Sequence, residues 1–113
     1  MKYGSIATIC NQKHKHASKK EARRCDELTL LEKAGEIENL EQQPKTVLQE
    51  GFDYKGKRVR PITYTADFGY WDKKRKMFVI EDTKGFHTSV YRIKKKLFMF
   101  LRRFNDDEIF EES

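Results

Sequence analysis

Three features of this 113-residue chain predict a single α/β domain. Apolar residues recur at helical spacing over residues 18–34 and 88–104. They alternate with a period of two from Arg60 to Trp71, and they run without a break from Met77 to Ile80. In chain order this reads as helix, strands, central strand, second helix, with Glu108-Ile-Phe-Glu111 adding a last short strand. A chain of this length builds one domain, residues 1–113, with a modest core.

Residues 1–17 are short and polar, with Ile6 to Ile9 a short strand. Ser18-Lys-Lys-Glu21 is a capping-box pattern and opens a helix that Gly35 stops just after Ala34. Ile37 to Leu48 reads as an extended strand interrupted by Pro44. Tyr54-Lys-Gly-Lys57 is a hairpin turn in which Gly56 takes the awkward backbone angle. From Arg60 to Trp71 the alternation predicts one strand, with Ile62, Tyr64, Ala66, Phe68 and Tyr70 on one face and Thr63, Thr65, Asp67 and Trp71 on the other. Asp72-Lys-Lys-Arg-Lys76 is a charged turn, and Met77 to Ile80 reads as a central strand buried on both faces. Thr88 or Ser89 caps a second helix to about Phe104, whose stripe of Val90, Ile93, Leu97, Leu101 and Phe104 is expected to be core.

Charged residues make up 37% of the chain and the net charge is +6, which by itself suits a polyanionic partner and a merely soluble basic domain about equally. The charge is unevenly placed. Lys13 to Arg24 and Arg92 to Arg103 are basic blocks, while Asp26 to Glu50 and Asp106 to Glu112 are acidic. Lys19 and Lys20 in the first block, and Arg92, Lys94, Lys95 and Lys96 in the second, are the expected phosphate contacts. Two cysteines without a CxxC pair, no secretory signal pattern and no apolar run near the ~18–20 residues of a membrane span point to a reducing, cytoplasmic setting. Cys10, Cys25, His14 and His16 match no zinc-ligand spacing, and Lys-His-Lys-His16 reads as a basic loop.

The chemistry concentrates in Phe78-Val-Ile-Glu-Asp-Thr-Lys84-Gly85. Strand alternation puts Phe78, Ile80, Asp82 and Lys84 on one face and Val79, Glu81 and Thr83 on the other. An acid and an amine two residues apart, beside a strand carrying Asp67, form a reaction centre of the kind phosphodiester hydrolysis requires. Carboxylates hold a hard divalent cation, and a lysine positions the attacking water or stabilises the pentavalent state. Glu21 has two readings, as the capping-box acid and as a sheet-facing acid on the stripe of Cys25, Leu28 and Glu32 that binds metal.

Asp67, Asp82-x-Lys84 and the helix acid Glu21 resemble the PD-(D/E)XK nuclease superfamily, which includes type II restriction enzymes, phage Holliday-junction resolvases and transposase endonuclease subunits. A longer set of segments is similar to a small phage and prophage family of that superfamily: Lys2-Tyr-Gly4, Ser18-Lys-Lys-Glu-Ala22, Leu30-Leu-Glu-Lys-Ala-Gly35, Gln43-Pro44, Tyr64-x-Ala-Asp-Phe68, Glu81-Asp-Thr-Lys-Gly85 and Tyr91-x-Ile-Lys-Lys-Lys-Leu-Phe98. The resemblance implies a restriction-endonuclease-like core, a central mixed four- to five-stranded β-sheet flanked by two main helices. It also implies metal ligation by Glu21, Asp67, Asp82 and the Thr83 carbonyl, catalysis by Lys84, and Mg²⁺ as cofactor with Mn²⁺ substituting. Ala66 departs from the proline of the motif's name.

The function expected from these residues is metal-dependent DNA cleavage, selective for a junction, flap or branch, in phage replication or recombination within a bacterial host. Cutting at a junction calls for a homodimer. The alternatives are a non-catalytic DNA-binding accessory protein on the same fold, and a structural phage protein whose acids are surface groups.

Overall fold

The computed structural model describes residues 8–9, 15–16, 18–83 and 87–113, with side chains from residue 18 onward. Strands β1 (Thr8–Ile9) and β2 (Lys15–His16) pair antiparallel beside helix α1 (Lys19–Lys33). Ser18 caps α1, its Oγ accepting from the Glu21 amide at 3.2 Å, and Gly35 follows the last turn at φ +81°, where a side chain would be strained. The buried stripe of α1 is Glu21, Ala22, Cys25, Leu28 and Thr29.

Pro44, which cannot donate to a ladder, splits the next segment into β3 (Ile37–Gln42) and β4 (Lys45–Gln49). Strands β5 (Phe52–Tyr54) and β6 (Lys57–Val59) form a hairpin turning at Gly56, again at φ +81°. Then come β7 (Ile62–Thr65), β8 (Phe68–Asp72), β9 (Met77–Asp82), helix α2 (Ser89–Arg102) and β10 (Glu108–Glu112). The main sheet has the order β10-β9-β8-β3 and is mixed, because β10 runs parallel to β9 while the other neighbours are antiparallel. The expected central strand is therefore an inner strand, lying between β8 and β10.

Each face of this sheet carries one helix. Val79 joins Phe68, Tyr70, Ile37 and the α1 residues Ala22, Cys25 and Leu28 in one cluster. Its neighbour Ile80 joins Tyr64, Ala66 and the α2 residues Tyr91 and Phe98 in the other, with Phe78 and Phe110 alongside. Alternation along β9 thus feeds two separate cores.

Two expectations are corrected here. The segment from Arg60 to Trp71 is two strands, and its apolar alternation does not stay on one face. Tyr64 and Ala66 pack with α2, whereas Phe68 and Tyr70 pack with α1. The cause is visible in consecutive amides: Ala66 N donates to Pro44 O at 3.0 Å, but Asp67 N donates to Glu81 O at 3.1 Å. The chain leaves its pairing with β4 and enters the main sheet at that dipeptide.

The second correction concerns α2. Val90, Ile93, Leu97, Leu101 and Phe104 are exposed, not core. The surface beneath the helix selects other residues. Tyr91 and Phe98, seven apart, fill the core, while Lys95 bonds Glu112 at 2.8 Å and Arg102 bonds Glu108 at 2.6 Å. Acids on β10 turn the cationic and aromatic side of α2 inward.

Phe68, wholly buried between β9 and α1, should be the costlier truncation: Phe68→Ala is expected to lose ~3–5 kcal/mol in urea unfolding. Leu30→Ala on the exposed side of α1 is expected to stay within ~0.5 kcal/mol of wild type.

Candidate active site

The C-terminal end of β9 carries two adjacent buried carboxylates, Glu81 at 1% and Asp82 at 0% exposure, directed to opposite faces. A buried carboxylate must be matched by donors, and each finds a different set. Glu81 meets the α1 layer. Arg24 grips it with Nε at 2.6 Å and Nη2 at 3.0 Å, the Tyr70 hydroxyl donates at 2.7 Å, and Ser113 Oγ donates at 3.0 Å. The bond to Glu81 is the main cause holding the Arg24 guanidinium above its ordinary value, and burial with the same carboxylate pushes the Tyr70 phenol up.

Asp82 meets the α2 layer, where its Oδ2 accepts a short hydrogen bond from the Tyr64 hydroxyl. The Tyr64 ring packs against Phe98 with centroids 5.3 Å apart and against Tyr91 at 6.4 Å. Burial, then the bond to Asp82, then the charges of Asp82 and Asp67 hold the Tyr64 phenol far above its ordinary value, so it remains a donor.

Asp67 sits at the bend between β7 and β8. Its Oδ2 accepts from both Thr83 N and Thr83 Oγ1, each at 2.7 Å, which pins the chain as it leaves β9. Glu21 is buried in the first turn of α1 and is placed at the same end of the sheet. Next to it, Lys20 Nζ donates to Ser113 O at 2.6 Å, and Ser113 N donates to Asp82 O at 2.9 Å. Glu21, Asp67, Asp82 and Thr83 are thus all buried at this end. Lys84, which follows Thr83, lies outside the described residues, as do Cys10, Lys13, His14 and the side chain of His16.

Among the described residues, no group of three or more His, Cys, Asp and Glu side chains is arranged to hold a metal ion. Glu21 accordingly does not form such a group with Asp67 and Asp82. Asp67 and Asp82 supply the donor type a hard cation takes, since Mg²⁺ uses one or two protein carboxylates and completes its shell with water and phosphate oxygens.

Beside the aspartates lies a second network. The Tyr91 hydroxyl donates to Glu112 Oε2 at 2.6 Å, and Lys95 reaches Glu112 Oε1 at 2.8 Å, with His87 Nε2 3.1 Å from the same carboxylate. Lys95 first and Tyr91 second hold the Glu112 carboxyl below its ordinary value, while burial chiefly pushes the Tyr91 phenol up. Sequence reasoning missed Tyr64, Tyr91, Arg24 and Glu112. The signal available was a tyrosine inside each core segment, since a buried phenol needs a partner for its hydroxyl.

The expected phosphate contacts divide. Lys19, Arg92 and Lys96 are exposed and Lys94 is half-buried, and none is in an ion pair among the described residues. Lys95 is committed to Glu112, and Lys20 to Ser113. The β5–β6 hairpin adds an unexpected basic surface of exposed Lys55, Lys57, Arg58 and Arg60, where Lys55 lies 5.3 Å from the Tyr54 ring centroid. No helix among the described residues is long and apolar enough to cross a membrane.

Residues 1–109 match the family model described as "Protein of unknown function (DUF1064)". The chain belongs to the DUF1064 family. Searches of curated proteins and of solved structures found no match. For this DUF1064 chain the site must therefore be argued from its own geometry.

Replacing Arg24 with methionine leaves the Glu81 charge buried without its guanidinium and should cost about 3 kcal/mol by denaturant unfolding. Glu112 sets a pH dependence. Its folded value is lowered from 4.5, so its contribution is complete above pH 4.5 and is lost as the pH falls through the lower folded value. Melting curves from pH 3 to 7 should show a shallower acid loss in Glu112→Gln than in wild type.

Proposed function

We propose that this DUF1064 protein is a metal-dependent DNA endonuclease that hydrolyses phosphodiester bonds at junctions, flaps or branches. One observation carries the reading. Asp67 and Asp82, from two different elements, are both buried at the end of the strand from which the chain runs on through Thr83 into Lys84, Asp82 accepting from the Tyr64 hydroxyl and Asp67 from Thr83. The restriction-endonuclease-like core is part of this proposal, and the mixed four-stranded sheet between two helices supports it.

Asp67 and Asp82 are the residues that would hold Mg²⁺ or Mn²⁺, which when bound polarises a phosphoryl oxygen and acidifies its water. Tyr64 orients Asp82 by donating to one of its oxygens. Asp67 fixes Thr83 by its amide and hydroxyl, and so sets where the chain begins that carries Lys84. Lys84 places the attacking water or meets the charge growing on the phosphorane. Glu21, buried at the same end, adds negative charge that favours a cation. Lys19, Arg92, Lys94, Lys96 and the hairpin cations Lys55, Lys57, Arg58 and Arg60 are suited to phosphates, which gives affinity with little sequence preference. A cytoplasmic setting in a phage-carrying bacterial host follows from the same resemblance.

A second reading, a DNA-binding accessory protein on the same fold, is favoured by a specific observation. Thr83 already donates twice to Asp67 and Tyr64 donates to Asp82, with no three-acid group among the described residues.

Linear, flapped and four-way-junction DNA incubated with Mg²⁺, Mn²⁺ or EDTA separates the two. Cleavage of branched DNA in metal, reduced at least ~100-fold by Asp82→Asn or Lys84→Ala with DNA binding retained, is the expected result. Mn²⁺ should also raise the melting temperature of wild type but not of Asp82→Asn, because only a bound ligand shifts the folding equilibrium. Salt-sensitive binding of all three DNAs without cleavage in either metal would assign the accessory role.

A further inference from the structure

Helix α2 has an outer face that nothing in the described structure covers. Val90, Ile93, Leu97, Phe100, Leu101 and Phe104 recur at helical spacing along its four turns and are 40–78% exposed. At 100° per residue these six fall within an arc of about 100°, bordered on one side by the basic flank of Arg92 and Lys96. Exposed apolar side chains scattered singly are ordinary, but six contiguous ones form a patch on the order of 600 Å², at the top of the range for the largest patch on a monomer. Arg103 braces its end, with its guanidinium 3.8 Å from the Phe100 ring centroid and 4.4 Å from that of Phe104.

The spacing is symmetric. Counting outward from Leu97, Ile93 and Leu101 lie four residues away, and Val90 and Phe104 lie seven away. An isologous two-fold contact demands that residue i meet j while j meets i. An antiparallel pair of α2 helices crossing at Leu97 satisfies this with apolar partners throughout: Leu97 on Leu97, Ile93 on Leu101, Val90 on Phe104. Lys94 and Phe100, three residues to either side of the centre, flank the apolar seam on opposite sides. The same crossing brings the exposed acids Asp106 and Asp107 toward the opposite helix's start at Thr88, the end that attracts negative charge. Two such patches bury roughly 1,200 Å², the lower bound of a specific interface.

We propose that the outer face of α2 is a homodimer interface, formed by two copies of this chain packing their α2 helices antiparallel about Leu97. This does not depend on the nuclease reading, and its failure would leave that reading intact.

Sedimentation or light scattering of the full chain at micromolar concentration tests it. Wild type is expected at twice the mass of one chain. Leu97→Glu, which sets two carboxylates at the two-fold axis, is expected to be monomeric, with association weakened at least ~100-fold and an unchanged circular dichroism spectrum. If Leu97→Glu does not fold, Leu97→Cys supplies the answer. Under mild oxidation it should give a covalent dimer that wild type, with Cys10 and Cys25, does not give. A wild-type chain that stays monomeric to ~100 µM overturns the proposal. So do a dimer that survives Leu97→Glu, and a monomer that binds phosphatidylglycerol vesicles through this face.

Discussion

The Glu81 carboxylate, lying at the end of an inner strand of the main sheet and out of water, is the constraint on which the rest of the structure depends. An unmatched charge there would not be tolerated, so donors arrive from three directions: Arg24 from α1, Tyr70 from β8 and Ser113 beyond β10. Those bonds dock the first helix onto the sheet and hold the parallel strand β10 against β9. Ser113 then bonds Asp82 through its amide and Lys20 through its carbonyl. The end of the sheet where the aspartates gather is thereby assembled from residues nearly the whole chain apart. Glu81 supports this site from behind and takes no place in it.

Glu81 and Asp82 illustrate how far strand alternation reaches. Both are acids in one dipeptide, and the period of two assigned them to opposite faces, as their partners Arg24 and Tyr64 now show. The helix starts at Ser18 and Thr88, the break at Pro44, the turn at Gly56 and the inner position of β9 were legible for similar reasons, since each follows from local backbone chemistry. The partners were not. Arg24 and Glu81 are separated by 57 residues, and nothing local to either specifies the other. The bend at Ala66 and Asp67 was hidden for a related reason. Alternation continued unbroken through it, while the hydrogen-bonding neighbours changed from Pro44 to Glu81.

That bend matters to the proposed chemistry. Had residues 60–71 formed one flat strand, Tyr64 and Phe68 would share a face, and the Tyr64 hydroxyl would not stand apart from the α1 core. Because the chain switches layers at Asp67, Tyr64 crosses to the α2 side and meets Asp82, while Asp67 itself reaches Thr83. A single change of pairing thus places one carboxylate on the Tyr64 hydroxyl and the other on Thr83. It also leaves them supported differently, Asp82 by a phenol and Asp67 by an amide and a hydroxyl, so a cation entering between them would compete with donors of unequal strength.

Helix α2 shows why periodicity names a face without naming what covers it. Two stripes compete on this helix, one aliphatic and one of aromatic and cationic residues. A core of ordinary composition would have taken the first. The surface offered here carries Glu108, Glu112 and Phe110, and it takes Arg102, Lys95, Tyr91 and Phe98 instead, because the acids beside the helix pair with its cations and a phenol. The aliphatic stripe is consequently turned to the outside, where water is a poor partner for it. Tyr91 and Lys95 also hold Glu112 next to Asp82, so α2 touches the candidate site with one face and offers the apolar stripe with the other. Antiparallel pairing of two such helices would set the two sites at opposite ends of the pair.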